Sequence, residues 1–405
     1  MRKQIEWIGN GMMLHQEKTT VDFLSKQEID KAKKFHMSFP GYEKTPLHKL
    51  GSLAQHLGVT DVYVKDESYR FGLNAFKVLG GSYAIARYLA QWLQKDISEL
   101  PFGCLTSQAI KSQLGTIIFA TTTDGNHGRG IAWTARQLGQ KSIVYMPKGS
   151  SLRRLENIRA EGAEAKITDF NYDETVRMLA KEAEANGWII VQDTAWKGYE
   201  DIPTWIMQGY GTMAAEALEQ LQDMKGKKPT HVFVQAGVGS LAGAVQGYFT
   251  SLYGENRPKM VIVESDQANC LYKSAQAGDG NPRVVGGDMP TIMAGLACGE
   301  PNHIGWNVLR SYSHMFLSCP DWVAAKGMRI LGNPLGNDNK VISGESGAVT
   351  TGALSELMQD AKLKEAREAL GLTKDSVVLL FNTEGDTDPE KYRSIVWDGE
   401  YPSYK

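Results

Sequence analysis

Residues 231–243 read H-V-F-V-Q-A-G-V-G-S-L-A-G. A short apolar run with β-branched residues meets a glycine-bearing turn and continues as small apolar residues at helical spacing, the form of a buried strand feeding a helix. Gly237 and Gly239 would let backbone N–H groups approach a phosphate closely. Ser240 would add a hydroxyl, and the dipole of the following helix would favour a dianion. The same pattern also serves as a plain tight turn. There is no Gly-Lys-Ser/Thr phosphate loop, and no G-x-G-x-x-G after the first strand with a suitably spaced acid.

Outward from this unit the chain repeats the same grammar. Strands are expected at 62–64, 116–120, 142–146, 163–167, 188–191, 231–235, 260–264 and 377–381. Helices are expected at 76–93, 127–138, 152–161, 174–186, 204–221, 241–252 and 348–358. Nearly continuous apolar strands alternating with amphipathic helices predict an α/β protein with mostly parallel sheets buried on both faces. Ligands in such folds bind outside the carboxyl ends of the strands. Segment 277–307, rich in Gly, Pro and Asn, reads as a long loop excursion, and the polar end from 387 to 405 receives no assignment.

Composition narrows the function classes. At roughly 150 residues per domain, 405 residues suggest two or three domains. The 44 Lys and Arg against 46 Asp and Glu leave a net charge of −2, with no bulk attraction to nucleic acid. A mean hydropathy of −0.32 and the lack of an apolar run near ~20 residues argue against a membrane protein. The N-terminus carries no secretory signal pattern, so a cytoplasmic location is expected. Cys104, Cys270, Cys298 and Cys319 are too scattered for a disulfide scaffold; buried thiols are the plain reading, and a Cys270–Cys298 bridge stays open. No His or Cys/His spacing suggests a protein-held transition metal.

Two further segments carry chemistry. In N-A-F-K-V-L-G-G-S-Y, residues 74–83, Lys77 opens an apolar helix. A lysine there either reaches solvent or is desolvated, which lowers its pKa and suits it to a Schiff base. In A-T-T-T-D-G-N-H-G-R-G, residues 120–130, the polar residues either cap the next helix or form a nest of donors for a carboxylate, with Asp124 and Asn126 turned toward the same place. His127 at that helix start reads as a structural hydrogen-bonding residue. Asp193, following W-I-I-V-Q, is a second acid that either reaches a substrate or makes a turn.

Together these loops resemble the fold type II pyridoxal-phosphate enzymes, the tryptophan synthase β and threonine dehydratase group. The resemblance runs in order through T-P-L-H-K-L (45–50), V-Y-V-K-D-E-S (62–68), the lysine segment, the Gly-Asn-His loop, the glycine loop, G-E-S-G-A (344–348) and N-T-E-G-D (382–386). Within the group the sequence resembles the diaminopropionate-cleaving ammonia-lyases, through L-N-A-F-K-V-L-G-G, T-T-D-G-N-H-G-R-G and N-T-E-G-D-T-D-P. Common dehydratases usually carry Ser or Ala in place of Asp124.

The resemblance implies two open, twisted, mostly parallel sheets. Residues 1–89 with 206–405 would form a large cofactor domain, and 90–205 a smaller one carrying the Gly-Asn-His loop, with pyridoxal 5'-phosphate in the cleft and a homodimeric assembly. Lys77 would hold the cofactor covalently, Phe76 would pack near its ring, and Asn126 would bond the ring's 3' oxygen. Gly237, Val238, Gly239, Ser240 and Leu241 would cradle the phosphate. Thr383 would meet the pyridine nitrogen; a hydroxyl there leaves the ring largely unprotonated and favours rapid β-elimination. Thr123, Asp124 and Gly125 would receive the substrate, with the backbone of 123–125 taking its carboxylate, and Asp193 is a further substrate contact. Lys77 would act as base on the L-isomer. Asp124 would hold the β-ammonium or serve as base for the D-isomer. The products would be pyruvate and two ammonia, through an aminoacrylate that hydrolyses. A serine or threonine dehydratase of the same fold, and a non-catalytic amino-acid-binding relative, are the competing expectations.

Overall fold

The computed structural model describes residues 3–14, 18–123 and 125–403. Its strands are β1 (Glu6–Gly9), β2 (Leu47–Lys49), β3 (Asp61–Asp66), β4 (Ile118–Thr122), β5 (Lys141–Met146), β6 (Glu164–Ile167), β7 (Ile189–Ile190), β8 (His231–Gln235), β9 (Lys259–Ser265), β10 (Met315–Cys319) and β11 (Val377–Asn382). They form a seven-stranded sheet in the order β1-β10-β9-β8-β11-β3-β2 and a four-stranded sheet in the order β6-β5-β4-β7. All inner pairs of the larger sheet are parallel. Only its edges, β1 and β2, pair antiparallel. The smaller sheet is parallel throughout.

The apolar continuity of the inner strands follows from burial on both faces. Val232, Val234, Leu379 and Phe381 join one core with the helices Val78–Trp92, Asp201–Asp223 and Ser240–Tyr253. Their neighbours Phe233, Val378 and Leu380 join a second core with the helices Asp321–Gly332 and Glu345–Gln359. Because side chains alternate along a strand, each face needs its own apolar set. The first core also takes Phe119 and Ile131 from the smaller sheet's layer, so it ties the two sheets together.

All eight expected strands are present, with ends shifted by one or two residues. Three strands lay outside the expectation. The edge strands β1 and β2 have no apolar run, and β10 (M-F-L-S-C) has no β-branched residue to mark it. Residues 278–302 are irregular apart from a 3-10 turn at Ala294–Leu296, and the next helix already begins at His303. No helix of the described residues is long and apolar enough to cross a membrane. All four cysteines are free thiols, Cys270 and Cys298 included.

The helix Val78–Trp92 is held by unusually close backbone contacts. A Cβ on Gly209 would lie 2.3 Å from the Leu79 carbonyl oxygen, and one on Gly130 would lie 2.9 Å from the Val78 Cα. The helices Asp201–Asp223 and Asn126–Gln137 therefore grip it from two sides, one from each sheet's layer. Lys77 is the residue just before this helix rather than inside its first turn. The approach to Lys77 is fixed by a buried charge network. Glu216 Oε2 binds Lys65 Nζ and Arg70 Nη2, each at 2.7 Å, while Glu67 accepts from Arg70 Nε at 2.8 Å and from the Thr45 hydroxyl at 2.6 Å. With every charge paired, mutual attraction offsets the desolvation of the four buried groups and sets one geometry for the chain between residues 65 and 70.

Gly209→Ala is expected to lower stability by about 1–3 kcal/mol in denaturant unfolding, since its Cβ would overlap a carbonyl of the neighbouring helix. Gly103→Ala, with nothing within 4 Å of the added Cβ, is the control and should be neutral or slightly stabilising. Equal effects of the two substitutions would contradict the close-approach reading.

Candidate active site

Four strand-end loops converge on Lys77. After β8, residues 236–239 turn into the helix Ser240–Tyr253. Gly239 there has φ +97°, a left-handed conformation that only glycine adopts readily. By helix geometry the first N–H groups, those of Ser240, Leu241 and Ala242, lack intrahelical acceptors, and they concentrate positive potential at this end. After β11, residues 383–385 lie beside the lysine segment. Phe76 N donates to the Thr383 carbonyl at 3.0 Å, and Gly385 N donates to the Asn74 carbonyl at 3.0 Å. After β4 comes the Gly-Asn-His loop, and after β7 comes Asp193.

The result is a cleft of about 550 Å³ lined by Phe76, Lys77, Asn126, Asp193, Gly237, Val238, Gly239, Ser240, Leu241 and Thr383, together with Tyr210, Gln235, Gly295, Leu296, Cys298, Ser346 and Glu384. A smaller cavity of about 330 Å³ shares Lys77 and Asp193 and adds Thr122, Thr123, His127 and Tyr172. Beyond Ala297 a wider opening carries Lys148, Arg154 and Lys391 against Asp288, Glu345 and Asp388, a balanced surface suited to an amphoteric molecule.

Nine of the sequence-derived site residues thus meet as cofactor-type lining, with Asp193 as the tenth. Thr123 lies in the smaller cavity. Its hydroxyl oxygen accepts from Gly125 N at 3.0 Å and from Gly128 N at 3.2 Å, so the Gly125 N–H is turned inward in this state. Asp124 lies outside the described residues. His127 bonds the Val191 carbonyl through Nε2 at 2.8 Å, the structural role its position suggests.

The electrostatics of Lys77 differ from the expectation. Burial alone would depress its pKa, but the Asp193 carboxylate, 2.5 Å from Nζ, outweighs burial and holds the amine above its usual range. Asp193, opposed by its own burial, is drawn down to about 2 by Lys77 and, more weakly, by His127. The site is therefore a closed ion pair, not a lone desolvated amine. The Ser240 hydroxyl is also differently employed: it donates to the Asp193 carbonyl at 2.5 Å and accepts from Asn302 Nδ2 at 2.7 Å. It tethers the glycine loop to Asp193, leaving backbone N–H groups as the loop's donors.

Glu384, Tyr210 and Gln235 are among the lining residues to which the sequence reading gave no role. Glu384 accepts from Asn126 Nδ2 at 2.7 Å and from Ser346 N at 3.1 Å. It sits within the quoted N-T-E-G-D stretch, so its place was marked although its role was not. Glu345, at the start of its helix, is pushed up to about 7 by burial and by the adjacent Glu384 charge. Tyr210 packs its ring 4.7 Å from that of Phe76. Nothing in the local pattern of its helix distinguishes it. Gln235, a polar residue closing an apolar strand directly before the glycine loop, was the readable signal left unused. Among the described residues, the Tyr210 hydroxyl, Gln235 Oε1 and the Ser346 hydroxyl are buried without hydrogen-bond partners.

A family model, pyridoxal-phosphate dependent enzyme, matches residues 39–381. The chain belongs to this family. Its cofactor is pyridoxal 5'-phosphate, and the lysine, the anion-favouring loop and the unpartnered polar atoms of the cleft fit that group. The chain is 56% identical over 366 residues to a diaminopropionate ammonia-lyase of Salmonella typhimurium, covering 90% of this chain and 91% of that protein. It is 52% identical over 383 residues to one from Escherichia coli, covering 94% of each. A solved holo structure of the Escherichia coli diaminopropionate ammonia-lyase superposes with a TM-score of 0.92 at 49% identity over 99% of both chains. Another, in complex with D-serine, gives 0.91 over 98% of both.

Asp193→Asn should lower the Lys77 pKa to below the ordinary 10.5, because desolvation then acts without its opposing charge. The pH dependence of amine-reagent labelling at Lys77 in cofactor-free protein measures this; an unchanged, raised value would contradict the ion-pair account.

Proposed function

We propose that this chain catalyses the pyridoxal-phosphate-dependent α,β-elimination of 2,3-diaminopropionate, consuming one water and releasing pyruvate and two ammonia. The observation that carries the reading is the Lys77–Asp193 pair in the cleft, on a chain that matches two diaminopropionate ammonia-lyases at 52–56% identity over nearly their whole length. Threonine dehydratase relatives match at 28% over 58% of the chain, which supports the lyase over the dehydratase.

Bound pyridoxal phosphate supplies an electron-withdrawing ring that acidifies the Cα–H of an attached amino acid. Phe76 and Tyr210 offer aromatic surface to that ring, Asn126 a donor to its 3' oxygen, Thr383 a hydroxyl to its nitrogen, and residues 237–241 the phosphate cradle. Glu384 holds the Asn126 amide by one Nδ2 hydrogen and leaves the second for the cofactor.

Once the substrate's α-amine displaces it, the Lys77 amine stands as the base for the L-isomer's α-proton and returns a proton to the departing β-amine. Asp193 then faces the substrate's β-nitrogen in place of the lysine's charge and steadies the positive charge that builds there as Lys77 delivers its proton. Asp124 serves as base on the opposite face for the D-isomer. The D-serine complex of the Escherichia coli protein supports a site of this kind accepting D-amino acids. The backbone of 123–125 binds the substrate carboxylate when the loop rearranges around it. The same reading assigns 1–89 with 206–405 to a cofactor domain and 90–205 to a smaller domain around the four-stranded sheet, in a cytoplasmic homodimer.

Pyruvate release by the cofactor-loaded protein from L- and D-2,3-diaminopropionate, with L-serine and L-threonine alongside, tests the assignment. Both diaminopropionate isomers should react, Lys77→Ala should lose at least about 10³-fold, and Asp124→Asn should lose the D-isomer reaction selectively. Activity confined to serine or threonine would replace the function with that of a dehydratase.

A further inference from the structure

Gln235 closes β8 with its side chain 1% exposed, directly behind Thr383. Its Nε2 donates to the Phe381 carbonyl at 3.0 Å and to the Thr383 hydroxyl oxygen at 2.6 Å. The first contact fixes the amide's orientation, because a backbone carbonyl only accepts, and the amide oxygen facing it would be repelled. With the nitrogen so placed, its second hydrogen points at Thr383, whose hydroxyl must accept. Gln235 Oε1 meanwhile has no partner among the described residues. The arrangement gives up one acceptor in a buried site and in return presents two donors.

A hydroxyl has a single proton. With its oxygen accepting from Gln235, Thr383 has that proton left for the cleft it lines. A hydroxyl that donates to a pyridine nitrogen needs the nitrogen's lone pair, so it opposes protonation of the ring. One that accepts from the nitrogen requires a pyridinium. The direction of one hydrogen bond, set one residue behind the cofactor, therefore selects the electronic state of the ring.

We propose that Gln235 is a positioning residue that turns the Thr383 proton toward the cofactor's ring nitrogen and holds that nitrogen unprotonated. This rests on the cofactor assignment above and extends it to Gln235.

Gln235→Glu reverses the direction. Buried against the Phe381 carbonyl, the new acid keeps its proton on the oxygen that replaces Nε2 and donates it to that carbonyl; the same oxygen has no second hydrogen and offers Thr383 a lone pair. The Thr383 hydroxyl then donates backward and presents a lone pair to the ring. The test is the nitrogen NMR resonance of holoprotein loaded with ¹⁵N-labelled pyridoxal phosphate, read at neutral pH. The wild-type chain should give the downfield position of an unprotonated pyridine, and Gln235→Glu should move it upfield to that of a pyridinium. Gln235→Met, which keeps the side chain's length and frees the hydroxyl to turn either way, should move it part of the way and serves if the Glu variant fails to fold. Cofactor retained in the wild type and in a folded variant, with the same unprotonated resonance in both, overturns the role of Gln235 while leaving the family's cofactor in place. A wild-type protein that retains no cofactor overturns both readings.

Discussion

The placement of the helix Val78–Trp92 is the constraint on which the rest of the molecule depends. Its first turn lies so close to the helices Asp201–Asp223 and Asn126–Gln137 that Gly209 and Gly130 have no room for a side chain. Because one gripping helix belongs to the larger sheet's layer and the other to the smaller, the residue just before the gripped helix is carried to the junction of the two sheets. That residue is Lys77. The loop after β11 then runs against residues 74–76 in a short antiparallel bridge, which brings Thr383 and Glu384 to the same spot. Backbone packing thus delivers the reactive amine, and side chains refine its surroundings.

Charge is balanced at every step of that approach. The buried Lys65, Glu67, Arg70 and Glu216 satisfy one another behind the lysine segment. In front of it, Lys77 and Asp193 form an ion pair that shifts both groups further toward their charged forms. An amine so paired does not become nucleophilic through desolvation alone. It would become a free base only once its charge is taken over, which bound pyridoxal phosphate and an incoming amino group would do. Asp193, a buried carboxylate held ionised by a neighbouring ammonium, would suit a substrate carrying a second one.

Much of this was legible in the sequence, for identifiable reasons. The inner strands other than β10 read as nearly unbroken apolar runs because they are buried on both faces, while the loops at their ends need glycine and so announce themselves. The edge strands β1 and β2 face solvent and carry no such pattern. The helix Pro389–Val396 lay in the stretch left unassigned, although the Asp388-Pro389 pair is a start signal and Asp388 does cap it, accepting from Lys391 N. In the site, residue identity marked Lys77, Asn126 and the glycine loop. The sign of the Lys77 shift could not be read, because its partner stands 116 residues away. Gln235, a polar end to an apolar strand, and Glu384, within the quoted N-T-E-G-D stretch, were marked in place but not in role, whereas Tyr210 acts through proximity in three dimensions, for which a single sequence offers no periodicity.

The account stands on Lys77 being the residue that the fold presents to the cofactor. Borohydride reduction of the pyridoxal-phosphate-loaded protein, followed by peptide mass spectrometry, tests this directly. The phosphopyridoxyl group is expected on the peptide containing Lys77 and on no other lysine. Stoichiometric labelling at a different lysine, with Lys77 unmodified, would contradict it.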